Sequence, residues 1–391
     1  MQVPQYSVHA MLRVPAAGLV AGLVAGLVAG LVACRNFISG AGANKLMIKV
    51  AVIGVGAMGR NHVRVYSDMP DVEVVAVADA QAQQAETVGR RFGVPAYTDY
   101  GAMLDERQPD AVTIAVPTTM HREVAGEVIR RGAHVLIEKP IAFSVEEGQA
   151  IIAAAQQAGV RLMIGHVERF NPAVIALKRK LAEGALGRVF QIDAHRQGPF
   201  PSRITDVGVV VDLAVHDLDV MRYISGAELV RVYAETARRI HSVHEDLLTG
   251  MARLSDGTIG TLTINWLTPT KIRELYVTGE QGMFRVDYLT QDLYFYENAT
   301  AHGYDWDTLR VLRGVSEGQM IRYVVPKKEP LRAEQEAFLA AVRGEAPVAV
   351  TGLDGLKALE LAQAVMTSGS EHRPVTLEVG ALHLAGNEAK G

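Results

Sequence analysis

Two short motifs contain side chains that could move a proton. Lys139 stands immediately before Pro140, which fixes the local backbone beside the lysine. Asp212 and His216 are four residues apart in an amphipathic segment that predicts a helix over 209–224, so the two side chains share one face. A carboxylate and an imidazole placed in this way can shuttle a proton during catalysis. The alternative for these residues is structural: a surface lysine at a strand end, and a helix charge beside a hydrogen-bonded histidine.

The segment that begins at Met47 predicts a dinucleotide-binding fold. Residues 48–53 are apolar and β-branched, which is typical of a strand buried on both faces of a parallel sheet. Gly54-x-Gly56-x-x-Gly59 follows at once and leads into a helical pattern. The first glycine permits a tight turn, the second lets the backbone approach a pyrophosphate, and the third lets the helix pack closely on the strand. The N–H groups at the start of the helix are then available to the phosphates.

Asp79 indicates which dinucleotide is bound. It ends the second predicted strand, 72–78, and lies 25 residues after Gly54. A carboxylate at this position accepts hydrogen bonds from the ribose hydroxyls and repels a 2′-phosphate, and no arginine follows it directly. The sequence therefore predicts NAD in preference to NADP.

Further strands place Lys139 on the cofactor side of the sheet. Strand patterns at 111–116 and 134–137 alternate with helical patterns, as in a parallel sheet whose ligands bind beyond the carboxyl ends of the strands. Pro117 and Lys139 both follow such strand ends. The predicted cofactor contacts are Gly54, Gly56, Ala57, Met58, Gly59, Asp79, Pro117, His121, Glu138 and Lys139.

The second part of the chain changes to successive strands separated by short turns. Strand patterns occur at 188–195, 229–240, 247–254, 258–266, 273–278 and 283–286. Strands joined by hairpins predict a largely antiparallel sheet that is open on one face. The predicted fold class is therefore α/β, with a Rossmann dinucleotide-binding domain at 47–166. A C-terminal α/β domain with a large, mostly antiparallel open sheet is expected at 167–391, for substrate binding and oligomerisation.

Composition excludes several classes of function. The net charge of −4 argues against a nucleic-acid partner, which a basic face would attract. A single cysteine, Cys34, excludes a disulfide framework and a cysteine-based zinc site. His241, His244 and Glu245 could supply ligands, but no further ligand position is indicated. No metal site is predicted.

Residues 1–46 do not fit the pattern of a folded domain. Residues 17–32 are four copies of Ala-Gly-Leu-Val inside an uncharged apolar run. This run is long enough for a membrane-spanning helix, and it also resembles a lipoprotein signal that would anchor the chain through Cys34. The third interpretation is that translation starts at Met47. Because selection on a helix face does not produce perfect repetition, we prefer a mis-set start and a cytoplasmic protein, with membrane anchoring through 14–34 or Cys34 as the alternative.

Taken together, the motifs resemble a known family. The glycine motif, Glu138-Lys139-Pro140 and Asp212-x-x-x-His216 are similar, in order and spacing, to those of the Gfo/Idh/MocA family of sugar and cyclitol oxidoreductases. The resemblance runs from Met47 to the end of the chain, including a helix at 351–365. It implies that Lys139 donates a hydrogen bond or proton to the reacting oxygen. It also implies that Asp212 positions the substrate and polarises His216, that His216 is the general base, and that the chain forms a homodimer or homotetramer.

Two further stretches of the sequence bear on the substrate. Residues 165–172 and 196–219 look similar to the branch that contains UDP-N-acetylglucosamine 3-dehydrogenases. Arg196 and Arg203 flank a Gly-Pro-Phe-Pro turn and suit a diphosphate, because a guanidinium binds phosphate oxygens bidentately; the alternative is that they form structural ion pairs. Arg169 and Asn171 are further candidates for sugar contacts. The predicted substrate-binding residues are Lys139, Arg169, Asn171, Arg196, Arg203, Asp212 and His216.

Two other functions remain open at this point. An inositol or simple-sugar 2-dehydrogenase of the same family would share the catalytic residues but would need no diphosphate-binding arginines. A non-catalytic sensor that binds a dinucleotide could dispense with Lys139, Asp212 and His216, and all three are present. The sequence therefore favours an NAD-dependent dehydrogenase of a sugar nucleotide, with the 3-hydroxyl of UDP-N-acetylglucosamine as the expected position of oxidation.

Overall fold

The computed structural model describes residues 47–201, 207–299 and 317–378. The predicted anchor or signal segment and Cys34 lie outside these ranges, as does Arg203. Within the described ranges, no helix combines the length and the apolar character needed to cross a membrane.

The first sheet is built as the glycine motif predicts. Its strands are β1 (Ile48–Ile53), β2 (Val72–Ala78), β3 (Ala96–Tyr97), β4 (Ala111–Ile114), β5 (His134–Glu138) and β6 (Leu162–Gly165). All are parallel, in the order β3-β2-β1-β4-β5-β6. The order reverses between β1 and β4, so the carboxyl ends of these two strands border the crevice where such folds bind a dinucleotide.

Helices cover the first sheet, which explains its apolar strands. Val50, Ala51 and Val52 in β1 are fully buried because the strand has no face open to water. The helices of this part are α1 (Ala57–Ser67), α2 (Ala82–Phe92), α3 (Tyr100–Arg107), α4 (His121–Arg130) and α5 (Val145–Ala158). Short 3₁₀ segments lie at Thr118–Met120 and Val167–Phe170.

The second sheet is mostly antiparallel and has nine strands among the described residues. Its strands are β7 (Val189–Gln197), β8 (Leu229–Ala237), β9 (Leu247–Leu254), β10 (Ile259–Asn265), β11 (Ile272–Gly279), β12 (Gly282–Asp287), β13 (Asp292–Asn298), β14 (Glu317–Tyr323) and β15 (Val375–Thr376). Their order is β14-β13-β12-β11-β7-β10-β9-β8-β15, and only the β7–β10 pair is parallel. The predicted α/β fold class, with a Rossmann sheet followed by a mostly antiparallel one, is confirmed.

One face of the second sheet is covered by helices. The elements involved are α6 (Pro172–Ala182), a π-helical turn at Val210–Ala214, α7 (Val215–Ser225) and α9 (Gly352–Glu371), which follows α8 (Pro330–Val342) in the chain. Buried and exposed residues alternate along β9, as expected of a sheet with one solvated face. On the uncovered face Phe190, Met251 and Ile259 are exposed apolar residues. Assembly through this face into a dimer or tetramer stays a prediction.

Some elements differ from those that the sequence predicts. The strand predicted at 229–240 ends at Ala237, because the Asp246 carboxylate accepts hydrogen bonds from the backbone N–H groups of Arg239, Ile240 and His241 and holds them in a turn. The helix predicted at 209–224 begins with a π-helical turn. Strands β13 and β14 and helix α8 were not predicted.

Helix α8 connects the late part of the chain to the first sheet. Leu331, Phe338 and Leu339 on α8 belong to the same apolar core as the strands of the first sheet. On the same helix, Gln335 donates its Nε2 hydrogens to His62 Nδ1 (2.9 Å) and to the backbone oxygen of His62 (3.2 Å). The N-terminal fold is therefore completed by residues from the C-terminal end of the sequence.

Glu334 on α8 is an unusual carboxyl group. It is fully buried, and neither of its oxygens has a hydrogen-bond partner within the described part of the chain. Burial, and to a lesser extent the negative charge of Glu138, raise the pKa of Glu334 well above its ordinary value. The folded protein therefore favours the protonated acid, and its stability decreases as the pH rises from the unfolded pKa of Glu334 towards the folded one.

Replacement of Glu334 by glutamine tests this burial. The glutamine amide cannot titrate, so we expect Glu334→Gln to raise the melting temperature, by an amount that grows between pH 5 and pH 8 to the order of a few degrees. The control is Glu336→Gln on the same helix. Burial raises the pKa of Glu336, but hydrogen bonds from Lys328 and Arg332 outweigh burial, so the pKa is lowered overall. The measurement is thermal unfolding against pH; a difference from wild type that does not change with pH contradicts the assignment.

Candidate active site

The three glycines after β1 differ in their steric surroundings. Gly54 has a φ of +84°, and a Cβ there would lie 2.6 Å from the backbone of Ala115. A Cβ on Gly59 would lie 1.8 Å from the backbone oxygen of Gly54, so only glycine lets α1 pack this closely on the strand. A Cβ on Gly56 would meet nothing within 4 Å, so open space borders the start of the helix.

This loop fits the pyrophosphate of a dinucleotide. Gly56 precedes α1, where no side chain caps the helix and no acidic residue lies in the first turn. The free N–H groups and the positive end of the helix dipole therefore face the open space beside Gly56. Ala57 and Met58, the first residues of α1, are exposed at the same position.

Asp79 lies at the carboxyl end of β2, next to this loop. Its carboxylate accepts hydrogen bonds from the backbone N–H of Val55 (2.9 Å), from the backbone N–H of Gln81 (2.9 Å) and from Gln84 Nε2 (2.8 Å). A carboxylate offers about four acceptor positions, so one remains for a ribose hydroxyl. The fixed negative charge disfavours a 2′-phosphate, in agreement with NAD as the cofactor.

The other predicted cofactor residues differ in exposure. Pro117 is exposed beyond β4. His121 is buried, with Nδ1 2.9 Å from the backbone oxygen of Pro140 and Nε2 3.0 Å from that of Val116, so it braces the two loops that follow β4 and β5. Burial lowers the pKa of His121. Contact of these residues with the cofactor stays a prediction.

Glu138 is held within the protein. His62 Nε2 lies 2.8 Å from Glu138 Oε1, and the backbone N–H of Lys139 donates to Oε2 (3.3 Å). The potential ligand atoms of His62, Glu138 and Glu334 lie within 4.8 Å of one another. Because Gln335 donates to His62 Nδ1, the ring proton is on Nε2 and points at Glu138, so that nitrogen is not available to a metal in this arrangement.

Lys139 and Asp212 meet between the two sheets. Lys139 Nζ donates to the backbone oxygen of Asp212 (2.8 Å) and to Asp212 Oδ1 (3.1 Å). The lysine follows β5, and its peptide bond to Pro140 is cis. Asp212 lies in the π-helical turn before α7. Two motifs that are 73 residues apart in sequence are thereby brought into contact.

His216 stands beside this pair as a neutral imidazole. Burial, followed by the positive charges of Lys139 and Arg196, lowers the pKa of His216 well below its ordinary value. Its Nδ1 is buried without a hydrogen-bond partner within the described residues. The structure records no hydrogen bond between Asp212 and His216, because the Asp212 carboxylate turns to Lys139 and the π-helical turn breaks the regular α-helical spacing between the two residues.

Arg196 differs from the expected diphosphate ligand. Its Nε and Nη2 donate to the two oxygens of Asp217 (2.6 and 2.9 Å), and its Nη1 donates to Glu168 (2.7 Å). The side chain is 3% exposed. Both edges of the guanidinium are engaged within the protein, which argues against a diphosphate clamp at Arg196 and favours the structural ion pair.

Arg169 and Asn171 also have protein partners. Arg169 donates to both oxygens of Asp219 (2.7 and 2.6 Å) and to Asp354 Oδ1 (3.0 Å). The side-chain oxygen of Asn171 accepts the backbone N–H of Ala173 at the start of α6, and its Nδ2 donates to the backbone oxygen of Tyr288. Their contact with a sugar stays a prediction without a free polar group to support it.

Two residues of the site were not predicted from the sequence. His166 directly follows β6 and is buried, with neither ring nitrogen hydrogen-bonded to a described residue; burial lowers its pKa. Its position at a strand end is the same signal that identified Lys139. Arg273 on β11 lies on the covered face of the sheet with Leu275 and Val277. The sequence signal that could have identified Arg273 is its alternation with Leu275 and Val277, which places a charged side chain on the apolar face of the strand.

Comparison with known proteins identifies the family. Residues 48–166 match an oxidoreductase family with an NAD-binding Rossmann fold, and residues 174–285 match the Gfo/Idh/MocA C-terminal domain. The chain belongs to the Gfo/Idh/MocA family of oxidoreductases. It is thus an enzyme that acts on CH–OH groups, and NAD is its cofactor.

Relatives of this chain within the Gfo/Idh/MocA family act on different substrates. The chain is 31% identical over 318 residues to UDP-N-acetylglucosamine 3-dehydrogenase of Acidithiobacillus ferrooxidans, covering 81% of this chain and 96% of that protein. A crystal structure of that enzyme superposes with a TM-score of 0.72 at 30% identity, covering 82% of this chain and 97% of that one. Inositol 2-dehydrogenase of Rhizobium meliloti is 27% identical over 342 residues, 85% of this chain and 100% of that protein.

Replacement of Arg196 distinguishes an ion pair from a substrate contact. Arg196→Met leaves the buried Asp217 carboxylate without its partner, and we expect a loss of about 3–5 kcal/mol in the free energy of unfolding. The double variant Arg196→Met/Asp217→Asn removes the unpaired charge and should recover part of this loss. Urea unfolding measures both. A stable Arg196→Met variant whose only change is a raised KM would instead show that Arg196 binds the substrate.

Proposed function

We propose that this enzyme oxidises a secondary hydroxyl of a sugar nucleotide, with the 3-hydroxyl of UDP-N-acetylglucosamine as the preferred position. The observation that carries the proposal is the Lys139–Asp212 pair beside a neutral His216, at the end of the sheet that holds the dinucleotide loop. The similarity to UDP-N-acetylglucosamine 3-dehydrogenase over almost its whole length supports the sugar nucleotide.

Oxidation of an alcohol requires two acceptors, one for a hydride and one for a proton. NAD, when bound, accepts a hydride from the carbon that carries the hydroxyl, and the protein has to take the proton from the oxygen. His216 suits this step because burial and cationic neighbours keep its imidazole unprotonated and able to accept. The proton would pass to a ring nitrogen of His216.

Lys139 and Asp212 would orient the reacting hydroxyl. An ammonium group has three hydrogen-bond donors, and Lys139 uses two of them on Asp212, so the third is available to the substrate oxygen. The positive charge there stabilises negative charge that develops on the oxygen as its proton leaves. Among the described residues, Asp212 Oδ2 has no hydrogen bond and can accept one from a neighbouring hydroxyl of the sugar.

An inositol or simple-sugar 2-dehydrogenase is the second candidate. The inositol 2-dehydrogenase of Rhizobium meliloti supports it, since this chain covers that protein completely. Both candidates would use Lys139, Asp212 and His216 in the same way, so only the substrate distinguishes them.

A substrate panel tests the proposed function. Purified protein with NAD is incubated with UDP-N-acetylglucosamine, UDP-glucose, N-acetylglucosamine and myo-inositol, and the formation of NADH is followed by its absorbance. We expect the highest kcat/KM for UDP-N-acetylglucosamine. Efficient oxidation of an inositol with no activity on either sugar nucleotide would reject the sugar nucleotide and keep the dehydrogenase.

The cofactor contact of Asp79 gives a second test. Asp79→Ala removes both the acceptor for the ribose and the charge that repels a 2′-phosphate. NAD should therefore bind more weakly, and the ratio of the affinities for NAD and NADP should decrease. Titration of both cofactors measures this. Tighter binding of NADP than of NAD by the wild type would contradict the role of Asp79.

The catalytic roles give a third test. Lys139→Met and His216→Ala should keep NAD affinity, while kcat of His216→Ala should fall by about 10²–10⁴ because the proton acceptor is lost. His372→Asn is the control, since His372 is an exposed residue that ends α9 far along the chain and should leave kcat unchanged. Near wild-type turnover in His216→Ala on the best substrate would remove the histidine from the mechanism.

A further inference from the structure

Arg273 is a cation without a partner on the covered face of the second sheet. Its Nη1 is buried and makes no hydrogen bond, and no hydrogen bond or ion pair is recorded for its guanidinium with any of residues 47–201, 207–299 and 317–378. The other arginines next to the site, Arg169 and Arg196, are both engaged by carboxylates. Of these three arginines, Arg273 is therefore the one whose guanidinium has no hydrogen-bond or ion-pair partner among the described residues.

The neighbour of Arg273 across the sheet is another arginine. In the β7–β11 pair, Arg273 stands directly opposite Arg196 on the same face. Like charges in this position repel each other. The charges of Asp217, Glu168 and Asp212 offset part of this repulsion, but none of these carboxylates bonds to Arg273, and Asp217 and Glu168 bond to Arg196 instead. Burial, and then the charge of Arg196, lower the pKa of Arg273 to about 10.

The position of Arg273 connects it to the proposed catalytic residues. Arg196, its cross-strand neighbour, bonds to Asp217, which directly follows His216 on α7. The charge of Arg273 contributes to the lowered pKa of His216, and the Asp212 carboxylate in turn acts on Arg273. The guanidinium of Arg273 is therefore close enough to Asp212 and His216 to interact electrostatically with both.

We propose that Arg273 binds the diphosphate of the sugar-nucleotide substrate. A phosphoryl oxygen would supply the ion-pair partner that Arg273 lacks among the described residues. A guanidinium with free N–H groups binds phosphate oxygens through charge-assisted hydrogen bonds. This inference rests on the proposed function, and it moves the diphosphate contact from Arg196 to Arg273. A neutral sugar or cyclitol would leave the charge of Arg273 unpaired, so Arg273 would also determine specificity.

Kinetics of Arg273→Met provide the first test. We expect the KM for UDP-N-acetylglucosamine to rise roughly 10- to 100-fold, since one charge-assisted contact is lost, with NAD affinity unchanged. The KM for unphosphorylated N-acetylglucosamine should rise far less than the KM for the UDP-sugar, because that substrate has no phosphate to contact Arg273. Arg273→Lys should recover part of the affinity, because it keeps the charge but not the guanidinium geometry. Arg253→Met is the control, as Arg253 is an exposed arginine on the opposite face of the same sheet.

Inorganic pyrophosphate provides a second test that does not depend on turnover. With NAD at saturation, so that the dinucleotide site is filled, pyrophosphate should raise the melting temperature of the wild type and of Arg253→Met but not of Arg273→Met. Without ligands, Arg273→Met should be at least as stable as wild type, because it removes an unpaired charge.

The two tests separate the inference from the function on which it rests. If the wild type oxidises no sugar nucleotide but pyrophosphate still protects it through Arg273, the proposed substrate is wrong and the anion site stands. An unchanged KM for the UDP-sugar in Arg273→Met would overturn the inference. So would protection by pyrophosphate that is equal in Arg273→Met, or absent from the wild type.

Discussion

The contact of Lys139 with Asp212 joins the two halves of the site. The lysine extends from a strand end of the parallel sheet, and the aspartate lies in the helical turn that covers the antiparallel sheet. Pairing stabilises charges that are partly withdrawn from water at such a boundary, since an unpaired buried ion costs several kcal/mol. The same requirement is met nearby by Arg169 with Asp219 and by Arg196 with Asp217, so ion pairs hold α7 in its place over the sheet.

This arrangement of charge is the physical basis for proposing His216 as the base. Lys139, Arg196 and Arg273 all bring positive charge close to His216, and burial removes the water that would stabilise an imidazolium. The ring therefore remains neutral, whereas a histidine hydrogen-bonded to a carboxylate would tend to be protonated. The absence of a hydrogen bond from the His216 ring to the Asp212 carboxylate is consistent with this state, because that carboxylate accepts from Lys139 instead.

Much of this architecture could be predicted from the sequence, and the reasons are local. β1 and β2 begin and end where the sequence predicts, because each is a mostly apolar, β-branched run that ends directly before Gly54 or Asp79. The position of Lys139 followed from the parallel topology alone. The pairing of Arg196 could not be predicted: Arg196 precedes a Gly-Pro turn that suits a ligand, but its partners Asp217 and Glu168 are 21 and 28 residues away and meet it only in the folded chain. The π-helical turn before α7 likewise leaves no signal in the spacing of Asp212 and His216.

The proposed chemistry depends on the protonation state of His216, and NMR of the protein with isotope-labelled histidine measures that state directly. The His216 resonances are assigned by their loss in His216→Gln, and the imidazole shifts are followed from pH 5 to pH 8 with NAD bound. We predict a titration midpoint well below the ordinary histidine value of about 6.5, because burial and the neighbouring cations disfavour the imidazolium. A midpoint at or above that value would show that the cationic surroundings do not control His216, and would contradict its role as the proton acceptor.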